Sequence, residues 1–352
     1  MTEQPKKQQW QPITIILLAL FFFVSQPLAS FANVESELNF FVTPVLPESQ
    51  LEGGATSYYD LNLGAGEQEE LQMRLKNTTD DPIAIEVSVH TAFTNVNGQV
   101  EYGVDAETPD PTLSFSVDSL IETPGIISLD PQEEQVITMD LRMPEEEFEG
   151  VLAGSIRIEE VDSNQAENQD AEGLGIRNAY AFIVGVVISN NRSVTESELE
   201  LLDVFADQVN YRNVFSATIQ NFTPTFVNHL EVVAEVRASG SDDILYEAHR
   251  TGMQMAPNSH MHFPISLNGD RFRSGNYVLT MSASSEGKVW EWNQDFRVEA
   301  ADARRLNNEY VTLEPETNWW LIGGVTTLVL AVLIIVVLII KKKRNAKEGG
   351  DQ

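Results

Sequence analysis

Hydrophobic and polar residues alternate along most of this chain, which is the pattern of β-strands that bury one face. The stretch Leu71–His90 shows the alternation on both sides of a polar turn cluster, Asn77–Pro82, and predicts two strands joined by a hairpin or a corner. The Asn97-Gly98 pair is typical of a type I′ turn and predicts a second hairpin. Leu129–Met143 repeats the alternation after a proline turn. The first half of the chain is therefore expected to be built from strands.

The second half repeats the same arrangement. Val214–Val236 contains a strand pattern, an Asn-x-Thr sequence with proline and a second strand pattern, as around Asn77. The apolar run Ala179–Ser189 predicts a strand buried on both faces. The sequence does not decide which of two domains contains this strand. The polar segment before it, Ser163–Gly175, is expected to be a flexible loop and favours placing the strand in the second domain. Ser197–Phe205 alone suggests a short helix.

The two ends of the chain carry targeting signals. Trp319–Ile340 is a run of 22 uncharged residues, and at 1.5 Å per residue it extends about 33 Å, enough to cross a bilayer. The basic tail that follows, residues 341–352, is expected to stay in the cytoplasm. Residues 1–32 predict a cleaved signal peptide, with an uncleaved anchor as the alternative. The sequence therefore predicts a single-pass protein of the cell membrane with its amino-terminal region outside.

Between these signals the chain is long enough for two domains. We place them at 33–160 and 161–310, and the fold class is all-β, with two tandem immunoglobulin-like β-sandwiches and one carboxy-terminal transmembrane helix. The formal net charge is −31 at pH 7, from 53 acidic and 22 basic residues, and such a surface repels nucleic acid. The absence of cysteine excludes thiol catalysis and thiolate metal sites.

Candidate chemistry is sparse. His260 and His262 lie two residues apart, so a strand places both rings on one side as half of a metal site, but no third ligand follows at a recognisable spacing. Carboxylate pairs such as Glu69-Glu70 are common in so acidic a chain and do not define a catalytic pair. We therefore expect no catalytic residue, no metal site and no cofactor.

Several motifs, in order, resemble one known family. The first region contains Phe41-Val42-x-Pro44, Tyr58-Tyr59-Asp60-Leu61, Ala92-Phe93-Thr94-Asn95, Met143-Pro144 and Phe148-Glu149-Gly150-Val151-Leu152-Ala153-Gly154, and the second contains Met255-Ala256-Pro257-Asn258-Ser259 and Gly275-Asn276-Tyr277. This order is similar to that of the WxL-interacting proteins of Gram-positive bacteria. One departure is Ser155, which follows Gly154 where the family pattern has a second glycine.

The resemblance implies a peptidoglycan-binding domain followed by a host-binding domain, both immunoglobulin-like, acting with secreted WxL proteins at the cell surface. The expected partners are peptidoglycan, WxL-domain surface proteins, host extracellular proteins and the membrane. Aromatic faces beside amide and carboxylate groups can bind sugars, which selects two segments of the first domain. The candidate ligand-binding residues are Tyr58, Tyr59, Asp60, Thr94, Asn95, Asn97 and Tyr102.

These observations lead to one expected function and two alternatives. We expect a non-enzymatic cell-surface adaptor that binds peptidoglycan and WxL-type proteins and presents a host-binding domain. The first alternative is a cell-wall remodelling hydrolase or a metal-dependent surface enzyme. The second is a donor-strand chaperone for surface fibres, because sandwiches have exposed strand edges to which a partner strand can add.

Overall fold

A computed structural model describes residues 38–53, 56–161, 180–192 and 194–310, together with positions 327, 328, 330, 334 and 335. The predicted signal peptide, the basic tail and the polar Ser163–Gly175 segment lie outside the described residues. So does most of the predicted membrane segment, in which the five described positions are helical. Within the described part of the chain, no helix is long and apolar enough to cross a membrane.

Among the described residues, the first half of the chain contains nine strands in the two sheets of the first sandwich, a separate two-stranded hairpin and a 3-10 helix. The strands are β1 (Phe40–Val45), β2 (Tyr59–Asn62), β3 (Gln68–Asn77), β4 (Ile83–Thr91), β5 (Phe93–Thr94), β6 (Val100–Glu101), β7 (Ile121–Glu122), β8 (Ile126–Leu129), β9 (Glu134–Arg142), β10 (Leu152–Glu160) and β11 (Ala181–Ser189), and the 3-10 helix is Val117–Ser119. One sheet has the order β1-β3-β9-β7 and the other β2-β11-β10-β4-β8, while β5 and β6 form a separate hairpin.

The core of this sandwich follows from the alternation in the sequence. On β3 the side chains of Leu71, Met73 and Leu75 are fully buried, and the polar residues between them are not. On β9, Met139 lies opposite Leu71 in the register of the two strands. Because β3 and β4 belong to different sheets, the turn between them is a corner rather than a hairpin.

The last strand of the first sandwich, β11, follows the predicted domain border at residue 160 in the sequence. It pairs antiparallel with β10 and parallel with β2, so it lies inside the second sheet of the first sandwich. The sequence leaves open which domain contains this strand; by its pairing the strand packs in the first sandwich, beyond the predicted border at residue 160. The physical reason is that β11 fills the gap between β2 and β10, where its apolar residues Val184, Val186 and Ile188 reach the core.

The second sandwich contains seven strands and one helix. The strands are β12 (Leu199–Val209), β13 (Arg212–Asn221), β14 (Val227–Ala238), β15 (Ile244–Met255), β16 (Ser259–Ser266), β17 (Gly275–Ser285) and β18 (Lys288–Val298), and the helix is α1 (Ala300–Glu309). The sheets have the orders β12-β13-β16 and β15-β14-β17-β18. The ring of Phe215 lies at the centre of the core, with the ring centroids of Tyr277 and Phe296 5.3 and 5.1 Å away. The short helix expected at Ser197–Phe205 is wrong, since most of that stretch is β12.

An Asn-x-Thr corner recurs once in each sandwich, as the sequence suggests. Asn77 is fully buried; its Nδ2 donates to the carbonyl oxygens of Asp81 and Asp130 at 2.8 and 2.9 Å, and its Oδ1 accepts from the amide of Thr79. Asn221 in the second sandwich is also fully buried and accepts in the same way from Thr223. Both asparagines are therefore structural, and their amide groups are inaccessible to glycosylation in the folded protein.

Candidate ligand-binding groove

The structure places the predicted ligand-binding residues in three different environments. Tyr59 on β2 belongs to the core: its side chain is fully buried, and its hydroxyl donates to the carbonyl oxygen of Gln72 at 2.6 Å. Burial raises the pKa of this phenol well above its usual range. Asp60, the next residue, has a half-buried side chain that forms an ion pair with Arg192. Tyr59 therefore has no exposed face for a ligand, and the carboxylate of Asp60 already has a cationic partner.

Thr94, Asn95 and Asn97 lie on the β5–β6 hairpin, which packs against the second sandwich. Thr94 is 3% exposed; its hydroxyl shares a 2.6 Å hydrogen bond with Ser259 and accepts one from the amide of Ala256 at 3.0 Å. The Oδ1 of Asn95 accepts from the amide of Asn97, which is itself exposed. In this set, Thr94 joins the two sandwiches and Asn95 shapes the turn.

The turn at Asn97-Gly98 differs from the expected type I′ turn. Of the two residues only Gly98 has a positive φ, 70°. The Oδ1 of Asn95 accepts hydrogen bonds from the amides of Asn97 and Gln99, and these bonds shape the loop. A side chain at position 98 would collide with Met253 of β15, since a Cβ there would lie 2.5 Å from the Met253 sulfur. The glycine therefore serves both the turn and the contact between the sandwiches.

Tyr58 and Tyr102, far apart in the sequence, line the same groove. This aromatic groove has a volume of about 540 Å³ and is lined by Ser57, Tyr58, Tyr102, Ile183, Gly185, Val186, Val187, Phe226 and Gln254. The pKa of the Tyr102 hydroxyl is raised, chiefly by burial and secondly by the nearby Tyr58. Tyr58 packs over Gly185 of β11, where a Cβ would lie 3.4 Å from that of the tyrosine. Two of the seven predicted residues thus share one concave surface.

The position of Tyr102 is fixed by Ser155, the residue that departs from the family pattern. Ser155 on β10 is fully buried, and its hydroxyl donates to the carbonyl oxygen of Tyr102 at 2.5 Å. Next to it, Ala92, Ala153 and Ala256 form a small apolar cluster against which Tyr102 and Phe226 pack. A serine at position 155 therefore provides a hydrogen bond to the tyrosine segment that a glycine lacks.

A larger cleft of about 820 Å³ lies beside the hairpin, but several of its polar groups already have partners. Asp105 lies 2.9 Å from His90 and accepts from the amide of Thr91, and Asp118 accepts from the hydroxyl of Thr91. His262 lies 3.0 Å from the hydroxyl of Thr218. Among the described residues, no group of three or more His, Asp or Glu side chains could hold a metal ion. The aromatic groove is therefore the stronger candidate site.

Asp110 in this cleft is a buried link between the sandwiches. Its side chain is 1% exposed, and its carboxylate accepts from Gln220 at 2.9 and 3.0 Å and lies 2.8 Å from His260. Burial alone raises the pKa of this group, but the hydrogen bonds from His260, Thr112 and Gln220 outweigh it and lower the pKa to about 2. Because the pKa is lower in the folded protein than in the unfolded chain, the ionised carboxylate stabilises the fold at pH values above the unfolded-chain pKa. This contribution is lost as pH falls through about 2.

Replacing Asp110 by asparagine is expected to lower the free energy of unfolding most at neutral pH. The difference between the wild-type protein and Asp110→Asn should shrink as pH falls from about 4 to about 2, because the unfolded chain then binds a proton at Asp110 that the folded protein binds only near pH 2. Urea denaturation of both proteins at several pH values measures this. Subtracting the two unfolding free energies at each pH cancels the effect of the other carboxylates, which the two proteins share. A difference that stays constant down to pH 2 would contradict the role given to the ionised Asp110.

The fold and the groove together define an all-β binding protein with two sandwiches and an aromatic groove where they meet. Residues 40–160 match the family described as WxL Interacting Protein, peptidoglycan binding domain, and residues 171–308 match WxL Interacting Protein, host binding domain. The chain belongs to the WxL-interacting protein family, which confirms the resemblance found in the sequence. No curated protein matches the chain.

Several solved structures have a distant likeness to this chain. The CupB2 chaperone of Pseudomonas aeruginosa is 14% identical and aligns over 68% of this chain and 97% of its own, with a TM-score of 0.27. The Salmonella enterica SafA pilin in complex with the SafB chaperone is 11% identical and aligns over 74% of this chain and 97% of its own, with a TM-score of 0.27. A PapD-like domain of human CEP192 is 10% identical and aligns over 44% of this chain and 87% of its own, with a TM-score of 0.26. TM-scores this low support no argument about the function of the chain.

Proposed function

We propose that this protein is a non-enzymatic adaptor of the Gram-positive cell surface that binds peptidoglycan and WxL-domain proteins. Its two sandwiches lie outside the cell, held by the predicted Trp319–Ile340 membrane segment, with the basic tail in the cytoplasm. The family match to a peptidoglycan-binding domain and a host-binding domain supports the two binding roles. In this proposal the second sandwich presents a surface to host extracellular proteins.

The observation that carries the wall-binding role is the meeting of Tyr58 and Tyr102 in one groove. Aromatic rings offer apolar faces that can stack on the faces of sugar rings, and grooves with a few polar groups among apolar ones are the usual form of a ligand site. The groove lining contains no charged residue, although the whole chain carries a net charge of −31. A neutral glycan backbone fits such a lining better than an anionic polymer does.

Replacing either groove tyrosine by alanine is expected to weaken binding to purified peptidoglycan about tenfold. The loss of one buried aromatic contact in a binding site costs on the order of 1.4 kcal/mol or more, which is tenfold in affinity. The measurement is retention of the full-length protein, in detergent, on peptidoglycan of increasing concentration. Wild-type retention no better than that of an equally acidic unrelated protein would remove the wall-binding role.

The matched control is Tyr211→Asn. Tyr211 is 68% exposed and lies at the β12–β13 turn, outside the groove lining. It has a positive φ of 59°, which asparagine tolerates well. This variant should bind peptidoglycan like the wild-type protein, and an equal loss in all three variants would point to a general effect of removing surface tyrosines.

A further inference from the structure

The aromatic groove is not contained in the first sandwich. Its lining includes Phe226, from the loop after the Asn221 corner, and Gln254, from the end of β15. Both belong to the second sandwich, and both fall in the region that matches the host-binding domain, residues 171–308. The region that matches the peptidoglycan-binding domain ends at residue 160 and supplies only Ser57, Tyr58 and Tyr102 to the lining.

Local contacts fix the two second-sandwich residues at the groove. The amide of Gln254 donates to the carbonyl oxygen of Gly98 at 2.8 Å, which ties its backbone to the β5–β6 hairpin. Phe226 packs with Tyr102 on the alanine cluster between the sandwiches. The two residues are therefore held beside Tyr102 by the same contacts that join the sandwiches.

The side chain of Gln254 has a free acceptor. Its Nε2 donates to the Oδ1 of Asn228 at 2.5 Å, whereas its Oε1 makes no hydrogen bond to any described residue. This oxygen suits an N–H or O–H donor on a ligand. With Phe226 and the two tyrosines, it gives the groove three aromatic rings and one amide acceptor, and no charged group among the lining residues.

We propose that the two sandwiches share this groove as a site for a neutral glycan of N-acetylated sugars, in which Phe226 and Gln254 are contact residues. The inference rests on the proposed wall-binding function and adds the second sandwich to it. A sugar ring stacks on the aromatic side chains, and an acetamido N–H or a hydroxyl group donates to the Oε1 of Gln254. A bound glycan then touches both sandwiches at once, so the region called host-binding also selects the wall ligand.

The test is calorimetric titration of the full-length protein in detergent with a β-1,4-linked tetramer of N-acetylglucosamine. Phe226→Ala and Gln254→Met are each expected to weaken binding about tenfold. Gln254→Met keeps the length of the side chain and the backbone bond to Gly98 but removes the amide oxygen, so it tests the contact even if Phe226→Ala disturbs the junction. Equal thermal unfolding of the wild-type and variant proteins verifies that the fold is retained.

Phe222→Ala is the matched control for Phe226→Ala. Phe222 is 39% exposed, lies in the same loop and is not part of the groove lining. Wild-type affinity in Phe222→Ala, together with weakened binding in the other two variants, supports the shared site. If Phe226→Ala and Gln254→Met bind like the wild-type protein while Tyr58→Ala is weakened, the site belongs to the first sandwich and only the present inference fails. If the wild-type protein binds neither the tetramer nor peptidoglycan, the proposed function fails with it.

Discussion

Gly150→Ala is expected to lower the free energy of unfolding by about 3 kcal/mol or more, the sum of a backbone cost and a collision. Gly150 has a φ of +69°, and a Cβ there would lie 2.1 Å from the carbonyl oxygen of Pro224 in the second sandwich. The next amide, that of Val151, donates to this same carbonyl at 2.8 Å. The methyl group would therefore push the sandwiches apart and break a hydrogen bond between them. Equilibrium urea denaturation measures the loss.

Gly252→Ala separates the two costs. Gly252 on β15 has almost the same φ, +70°, but no atom lies within 4 Å of the position that a Cβ would occupy. This variant should lose only the cost of the left-handed conformation, about 1 kcal/mol. Equal losses in the two variants would show that contact with Pro224 contributes nothing to stability.

The second large effect is expected for Asn77→Ala, which should destabilise the protein by about 3 to 4 kcal/mol. The substitution leaves buried carbonyl groups at Asp81 and Asp130 and the amide of Thr79 without their partner, and each unsatisfied buried group costs about 1–3 kcal/mol. Asn221→Ala should have a similar effect, because Asn221 holds the equivalent corner with the same kinds of bonds. Thermal and urea denaturation measure both.

The control for the corner variants is Asn276→Ala, at an exposed position on β17. Its side chain takes part in no corner, so the loss of stability should stay within about 0.5 kcal/mol. A corner variant that unfolds like Asn276→Ala would mean that water replaces the buried amide without cost, which would contradict the structural role of the Asn-x-Thr motif.

The strands and corners of this fold were predictable because their signal is local. The alternation on β3 and β9 places every second side chain in the core, and the turn at Asn77 is shaped by bonds to the nearby Thr79 and Asp81, although Asn77 also bonds to the distant Asp130. The same two signals recur in the second half, which is why the sequence indicates two similar sandwiches. Alternation predicts which face of a strand is buried, but it does not tell which strands are neighbours. The pairing of β11 with β10 and β2 joins residues far apart in the sequence, which is why the sequence leaves the domain of this strand open.

Two local errors have local causes. The register of β12 shifts between Leu201 and Val204, and this bulge breaks the alternation, so the apolar residues fall at a spacing that looks helical. The true helix, α1, buries only Ala303 and Leu306, which is too few apolar residues to produce a helical pattern. It is held instead by polar contacts such as that of Asn307, which accepts from the amide of Phe272 at 2.8 Å.

Of the residues that line the groove, only Tyr58 and Tyr102 were sequence candidates, and the reason is similar. Tyr58 and Tyr59 are adjacent in the sequence, and neighbours on a strand point to opposite faces, so at most one of them can face a ligand. Tyr59 is the buried one. The partners of Tyr58 in the groove come from β11, from Tyr102 after β6 and from the second sandwich, and no sequence spacing connects Tyr58 with Phe226 or Gln254. The contact between the sandwiches creates the groove, and it is visible only in three dimensions.

The place of β11 in its sheet determines how the protein can be divided for expression. A fragment that stops at residue 160 loses the strand between β10 and β2, leaving β2 without its parallel neighbour and opening the hydrophobic interior at Val186 and Ile188. Such a fragment is expected to aggregate, and its failure in an assay would reveal nothing about the wall. A usable truncation of the first sandwich extends through Ser189, where the chain leaves the sheet.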